Sequence, residues 1–563
     1  MNQKVTARAP RSRERGIATF IVAVSLMVLI PIVGLAVDGG VAFVVRTRLS
    51  AAMDSAALAA GRGINLSDTV ANAQAQATTQ ATNFFNANFP PGYLNTDAST
   101  SNRTVTPTFT LSTDTGLLTI SMTGTVQAPT YFMKWLGISS LTVSATGTAT
   151  RKNLVMEIVL DKSSSMGSRQ TSAGTMPSSI GSNATSCEAM VYSTGKFTDY
   201  FSPYDKLGEI SFDYTVYDDY TASTNYWNNT NGINSKIANI TCQNNTNTTA
   251  ALYKAYQDIK AINEPLAQNV IVLFTDGVPN GVNANFPVRT SVDSRYGPAT
   301  SGSGLSSSCT DTSGTMLCAN MPACTATAGT VKGVIAQEAG FNVNGGTRGG
   351  PFKMFSSDST PTTPSGCPSS GTAFTSQTIA YIPDTDYFGN STSGAWDGWL
   401  YQVNSHTAPT GTPITSGNSA TKNLGDLWSN YPTTGAGYAS NKFQSGTYSG
   451  KFRSDTPNAI GVTAMNSAAN MAATIRADTT YNIVIDTVYL QGNGSDPVDR
   501  SFLQIVSNQK TIQPIIYDST ASAYTNPYYV NTEQQGIWAA TTSATQLTAM
   551  FQQIASSLLR ISQ

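Results

Sequence analysis

The chain has 563 residues, a net charge of −1 and 12% charged residues. Balanced charge excludes the basic surface that nucleic-acid binding needs, and this length calls for more than one domain. Ser, Thr, Asn and Gly fill the polar positions, which suits exported β-rich structure, and the apolar runs and 24 tyrosines argue for packed cores over disorder.

Residues 1–16 form a basic tail carrying Lys4, Arg8, Arg11, Arg13 and Arg15. Residues 17–37 are a nearly uncharged apolar run, and a helix crosses a bilayer with ~20 such residues. A cleaved signal peptide is the competing reading, but its apolar core is shorter, ~7–15 residues. The basic residues before the run, and Asp38 directly after it, orient the N-terminus to the cytoplasm and the rest outside. An alanine-rich helix should continue through Arg62. Residues 63–100 read as a polar, alanine-rich helix followed by a loop. Strand-like alternation marks Thr106–Leu111, Leu117–Val126 and Leu141–Thr150. A short apolar helix over Thr130–Gly137 interrupts it.

Arg13-Glu14-Arg15-Gly16, the span, Gly34–Gly40 and Arg48–Gly61 together resemble the N-terminus of TadE/TadG-like proteins. That family belongs to the tight-adherence (Flp) pilus apparatus of bacteria. The resemblance covers residues 11–62 and implies a single-pass inner-membrane protein whose C-terminal part is periplasmic or extracellular. Type IV prepilins carry glutamate five residues after the cleavage-site glycine. Counted from Gly16 that position is Ile21, so the span reads as an anchor and not as a pilin segment. Residues 38–150, the helix and the small β-rich region, would pack against similar proteins or the pilus machinery, or serve as a stalk.

Residues 151–563 alternate strand and helix, the pattern of a doubly wound α/β fold. Leu154–Leu160 is the first central strand and Ser186–Tyr200 a helix. Leu207–Tyr214 and Thr215–Ala222 read as a hairpin at the sheet edge. Thr248–Ala261 is a helix and Val270–Phe274 a strand. Further on come the helix Ala459–Arg476, the strand Tyr481–Tyr489 and a short helix near Asp499–Ser507. A last strand is expected at Tyr528–Asn531 and a closing helix over Ser543–Arg560. Residues 280–455 break the alternation and read as an irregular or β-rich insertion. It holds Trp396, Trp399, Tyr401 and Trp428, which could rim a site or form the insertion's own core. Asp384–Gly389 has a loose likeness to a calcium loop, but Phe388 stands where a donor is needed, so a polar turn is expected.

Asp161-Lys162-Ser163-Ser164-Ser165 follows the first central strand directly. It offers one carboxylate and two hydroxyls, hard oxygen donors of the kind a divalent cation prefers. Thr275-Asp276-Gly277 adds a carboxylate at a second strand end, and Asn245–Leu252 is a threonine-rich helix start. The plainer reading is a turn whose Asp and Ser cap the next helix. The three motifs in this order resemble the metal-ion-dependent adhesion site of von Willebrand factor type A domains, with Ser164 in the usual glycine slot. The resemblance implies that Asp161, Ser163, Ser165, Thr246 and Asp276 hold a divalent cation, Mg²⁺ with Mn²⁺ or Ca²⁺ as alternatives. It further implies an open position that a partner's oxygen ligand completes. That partner would be a pilus subunit, another envelope protein or a host surface.

Six cysteines lie beyond the anchor, without any C-x-x-C. An even number in an exported domain suggests disulfides. Cys187 begins a helix and Cys242 precedes Thr246, both at the metal end of the sheet, so these two should pair. His406 is the one histidine, and no H-E-x-x-H, nucleophile elbow or phosphate-binding loop is present. These absences favour a non-enzymatic binding component. A hydrolase with its site in the insertion, or a purely structural periplasmic part, are the alternatives.

Overall fold

The computed structural model describes residues 13–64, 69–99, 103–112, 116–227, 230–276, 279–287, 330–336, 352–354, 380–393, 457–490, 500–512, 524–526 and 528–558, with a few shorter pieces. The chain divides into two compact units, one of residues up to Ser112 and Leu117–Arg151, the other essentially Lys152–Leu559.

In the first unit, helix α1 (Arg13–Gly63) continues through Pro31. Its apolar side chains from Ile17 to Val33 are exposed. From Val45 on, the helix buries Val45, Leu49, Ala52, Met53, Ala56, Ala57 and Ala60. That three-and-four spacing makes one continuous stripe. Helix α2 (Val70–Asn88) starts where the Thr69 hydroxyl accepts the Asn72 N–H at 3.2 Å. It buries Ala73, Ala77, Ala81 and Phe85, each one turn apart. Strands β1 (Arg103–Ser112), β2 (Leu117–Pro129) and β3 (Ser140–Lys152) form a sheet with β2 in the middle. Two glycines let α1 approach this sheet. A Cβ at Gly124 would stand 2.6 Å from the Met53 sulfur, and one at Gly147 2.4 Å from the Met53 carbonyl carbon.

The second unit is built on a six-stranded sheet. Its members include β4 (Leu154–Asp161), β5 (Lys206–Phe212), β6 (Val216–Ser223) and β7 (Gln268–Thr275). Their order is Trp538–Thr541, Val484–Leu490, β7, β4, β5, β6. All neighbours run parallel except β6, which pairs antiparallel at the edge. Every residue of β4 is buried, as expected of a strand covered on both faces. Helices α3 (Ser186–Thr198), α4 (Ile233–Ile237) and Leu547–Leu558 cover one face. Helices α5 (Thr248–Ile262), Pro457–Arg476 and Arg500–Val506 cover the other. This is the mostly parallel sheet of a type A fold.

One expected strand is not found. Tyr528–Asn531 is not a strand. The Asn508 side chain takes both backbone groups of Val530, donating to its carbonyl at 2.9 Å and accepting its N–H at 3.0 Å. No ladder can form there, and Trp538–Thr541 pairs with the sheet instead. The start of the insertion packs into the same core. Strands β8 (Gly281–Pro287), β9 (Thr330–Ala336) and β10 (Phe352–Met354) form an antiparallel sheet. Val282, Ala284, Phe286 and Ile335 join the core beneath α5. Asp384–Gly389 is a polar turn. The Asp386 carboxylate accepts the N–H groups of Phe388 and Asn390 at 2.8 Å each, and the Ser467 hydroxyl also donates to it. Trp396, Trp399, Tyr401, Trp428, Cys309, Cys318, Cys324 and Cys367 lie outside the described residues.

Candidate functional site

β4 leads through α3 to β5 on one side, whereas β7 lies on its other side. The sheet order therefore reverses at β4 and β7. In open α/β sheets ligands bind beyond the carboxyl ends of strands at such a reversal. Asp161 is the last residue of β4, and Asp276 directly follows β7. The alternation of sequence into these two strands is what brings the two carboxylates, 115 positions apart by number, to one edge.

At that edge the motif residues meet. Ser163 and Ser165 hydroxyls lie 2.9 Å apart, and the Ser165 hydroxyl donates to Asp276 Oδ1 at 2.9 Å. The Ser163 N–H donates to Asp161 Oδ1 at 2.8 Å, and the Thr275 hydroxyl donates to Asp161 Oδ2. Thr246 is brought in through its backbone. Its N–H donates to Asn280 Oδ1 at 2.8 Å, and its carbonyl accepts from Asn280 and Gly281 at 2.9 Å. Asp161, Ser163, Thr246 and Asp276 are buried, and Ser165 is half-buried.

Further backbone bonds lace the three loops. Lys162 donates to Phe212 and accepts from Gln243, and the Ser164 N–H donates to the Asn244 carbonyl. Sequence reading missed the residue that organises this lacing, Asp213, just past β5. Its carboxylate accepts the Thr215 N–H at 2.7 Å and the Asn244 side chain at 2.8 Å. Its own carbonyl accepts the Asn247 N–H at 2.8 Å. Asn280 was missed as well. The one available signal was position, since each lies just beyond the end of a central strand. Gly281 answers a close approach, because a Cβ there would come within 3.1 Å of Asn247 Cβ.

Burial pushes the Asp161 carboxyl up to about 6, against the opposing pull of hydrogen bonds from Thr275 and Ser163, and nearby Asp213 raises it further. A buried carboxylate edge of this kind suits a cation. Among the described residues no group of three His, Cys, Asp or Glu side chains has metal-binding spacing. The donor set at this edge instead mixes carboxylates with hydroxyls, the hard-oxygen chemistry that Mg²⁺ takes.

The flanks are fastened separately. Cys187 at the start of α3 is bridged to Cys242, four residues before Thr246, with Cα atoms 6.1 Å apart. This is the expected pairing. The buried Arg169 guanidinium donates to the Ile240 carbonyl at 3.1 Å and to the Thr171 hydroxyl at 2.7 Å, and lies 3.6 Å from Glu188. It ties the segment after the serine loop to the approach to Cys242.

Residues 16–63 match the Flp pilus-assembly TadE/G-like family, and residues 156–278 match the von Willebrand factor type A domain. Among curated proteins none matches the chain. Among solved structures, the chain is similar to the PilB minor pilin from Streptococcus sanguinis, with 13% identity and a TM-score of 0.31, covering 83% of this chain and 79% of that one. It is also similar to the von Willebrand factor domain of the type V pili tip protein Mfa5 from Porphyromonas gingivalis, with 13% identity and a TM-score of 0.30 over 72% of this chain and 95% of that one. Both scores are low, and the assignment rests on the two family matches. The chain joins a TadE/G-like N-terminal region to a von Willebrand factor type A domain.

Proposed function

We propose that this protein is a non-enzymatic, envelope-anchored component of a Flp-type pilus assembly system that binds its partner through a divalent cation. Asp161, Ser163, Ser165, Thr246 and Asp276 would hold that cation. The observation that carries the reading is the chain of contacts Ser163–Ser165–Asp276 beside the buried Asp161, at the reversal point of the sheet. A bound Mg²⁺ would offer a partner's carboxylate a coordination position in a site shielded from water. The chain's own residues supply the rest. Asp213 and Asn280 hold the threonine loop, and Thr275 orients Asp161. Residues 17–37 would cross the inner membrane with the N-terminus in the cytoplasm. The type A domain would face a pilus subunit, another envelope protein or a host surface.

Calorimetry of the full chain in detergent with Mg²⁺ and Mn²⁺ tests the site. Saturable binding that Asp276→Ala removes is the expected result. Absence of binding by the wild-type chain with either ion would overturn the reading. Cross-linking to purified envelope proteins, with and without chelator, then tests the partner. Loss of the cross-link on chelation, with the circular dichroism unchanged, is expected. A cross-link indifferent to chelation would leave the metal a purely structural tie.

A further inference from the structure

The turn between β2 and β3 is fastened to α1 in an unusual way. The Asp38 carboxylate, buried, accepts three consecutive backbone N–H groups: Tyr131 at 2.7 Å, Phe132 at 3.0 Å and Met133 at 2.7 Å. One helical turn nearer the N-terminus, Gly34 lies under the Phe132 ring. A Cβ at Gly34 would stand 2.6 Å from Phe132 Cβ. The turn is itself closed by bonds from Ile138 to Met133 and from Gly137 to Lys134, each 3.1 Å. It is therefore a rigid loop at a fixed level on the helix.

That level matters. The apolar run ends at Val37, so Gly34 and the Phe132 ring on it sit about 5 Å to the apolar side of that end, at 1.5 Å per residue. The stripe that holds α1 to α2 and the sheet begins only at Val45. Beside the end of the run, the turn presents apolar side chains outward. Trp135 is 84% exposed and Leu136 74%, with Tyr131, Phe132 and Ile138 each about two-fifths exposed. Lys134 stands among them. Tryptophan and tyrosine concentrate at the border between lipid and water, where an apolar ring and a polar edge are both satisfied. A lysine there meets anionic headgroups.

We propose that Tyr131–Ile138 is a second, non-spanning membrane contact, an apolar turn seated in the headgroup region of the bilayer that α1 crosses. The inference rests on α1 being a membrane span. Its occupant is lipid because the turn is continuous with the end of the apolar run and on its level. Asp38 then has a defined task. It holds the turn against the helix at the border, with its charge spent on three N–H groups and not on lipid.

The test uses the full chain in liposomes, with Trp135→Phe as the comparison because the chain has six tryptophans. Trp135 is so exposed that the substitution leaves folding intact. The fluorescence difference between the two proteins isolates Trp135. Lipids brominated near the headgroup should remove most of that difference, and aqueous acrylamide should remove little of it. Quenching by acrylamide but not by brominated lipid would overturn the proposal. So would emission shielded from both, which would mean that protein covers the turn. Flotation with the liposomes separates the two readings. A chain that fails to float loses the span, and the proposal with it. A chain that floats with Trp135 in water loses the proposal alone.

Discussion

The Ser165 hydroxyl donates to Asp276 Oδ1 at 2.9 Å across a sequence separation of 111 residues. This bond joins the loop after β4 to the end of β7, and its two partners are both candidate cation ligands. Asp276→Ala and Asp161→Ala each remove a charge that the neighbouring hydroxyls cannot replace. Each should lower Mg²⁺ affinity by more than the ~10–100-fold typical of outer-shell changes. Asp213→Ala should fall within that ~10–100-fold range, because it frees Asn244 without touching the ion. Calorimetry ranks the three, and an Asp213 variant worse than the Asp276 variant would reverse the assignment of roles.

A pH effect is expected from Asp486 in the strand Val484–Leu490. Burial pushes its carboxyl up to about 7, opposed by the Ile537 N–H. Between about pH 4 and pH 7 the folded chain keeps a proton that the unfolded chain has lost, so this residue's contribution falls as pH rises and is flat above pH 7. Asp486→Asn retains an acceptor for Ile537 and removes the titration. The variant should gain on the wild type between pH 4 and pH 8, by an amount on the order of 4 kcal/mol at most. Urea unfolding of both proteins at the two pH values measures it. An identical difference at both would show that Asp486 titrates normally.

Removing the disulfide should cost stability. The bridge spans 55 positions, and closing a loop of that size is worth about 4 kcal/mol in the chain-entropy account. Cys242→Ser should lower the urea midpoint of the type A domain accordingly. A midpoint equal to that of the wild type under oxidising conditions would deny the bridge that role.

Gly147→Val tests the close approach of α1 to its sheet. A side chain there meets the Met53 backbone, which cannot swing aside. Overpacking of this kind costs typically ~1–3 kcal/mol. Hydrogen exchange should rise in α1 and β3 together. Unchanged protection in both would mean that the helix shifts freely.

The strands of the sheet were legible because burial on both faces leaves a plain mark, a continuous apolar run such as Leu154–Leu160. The cluster of Asp161, Ser163 and Ser165 at the end of β4 was legible because it is local in sequence. Asp213 and Asn280 were not, since they act through bonds to backbone groups on other loops, and no spacing encodes those. The edge strand was misplaced for a related reason. Tyr528–Asn531 has the more strand-like composition, yet one asparagine, Asn508, takes the Val530 backbone and leaves the four-residue Trp538–Thr541 to finish the sheet.

The Cys187–Cys242 bridge also sets an order of events. Its second sulfur lies four residues ahead of Thr246, so oxidation of two thiols adds a covalent tether to a loop that Asp213 and Asn280 already hold by hydrogen bonds. Reducing surroundings would leave that tether open. If the type A domain is exported as proposed, the complete brace is acquired only there, and a copy in reducing surroundings would carry the proposed cation-holding residues without it.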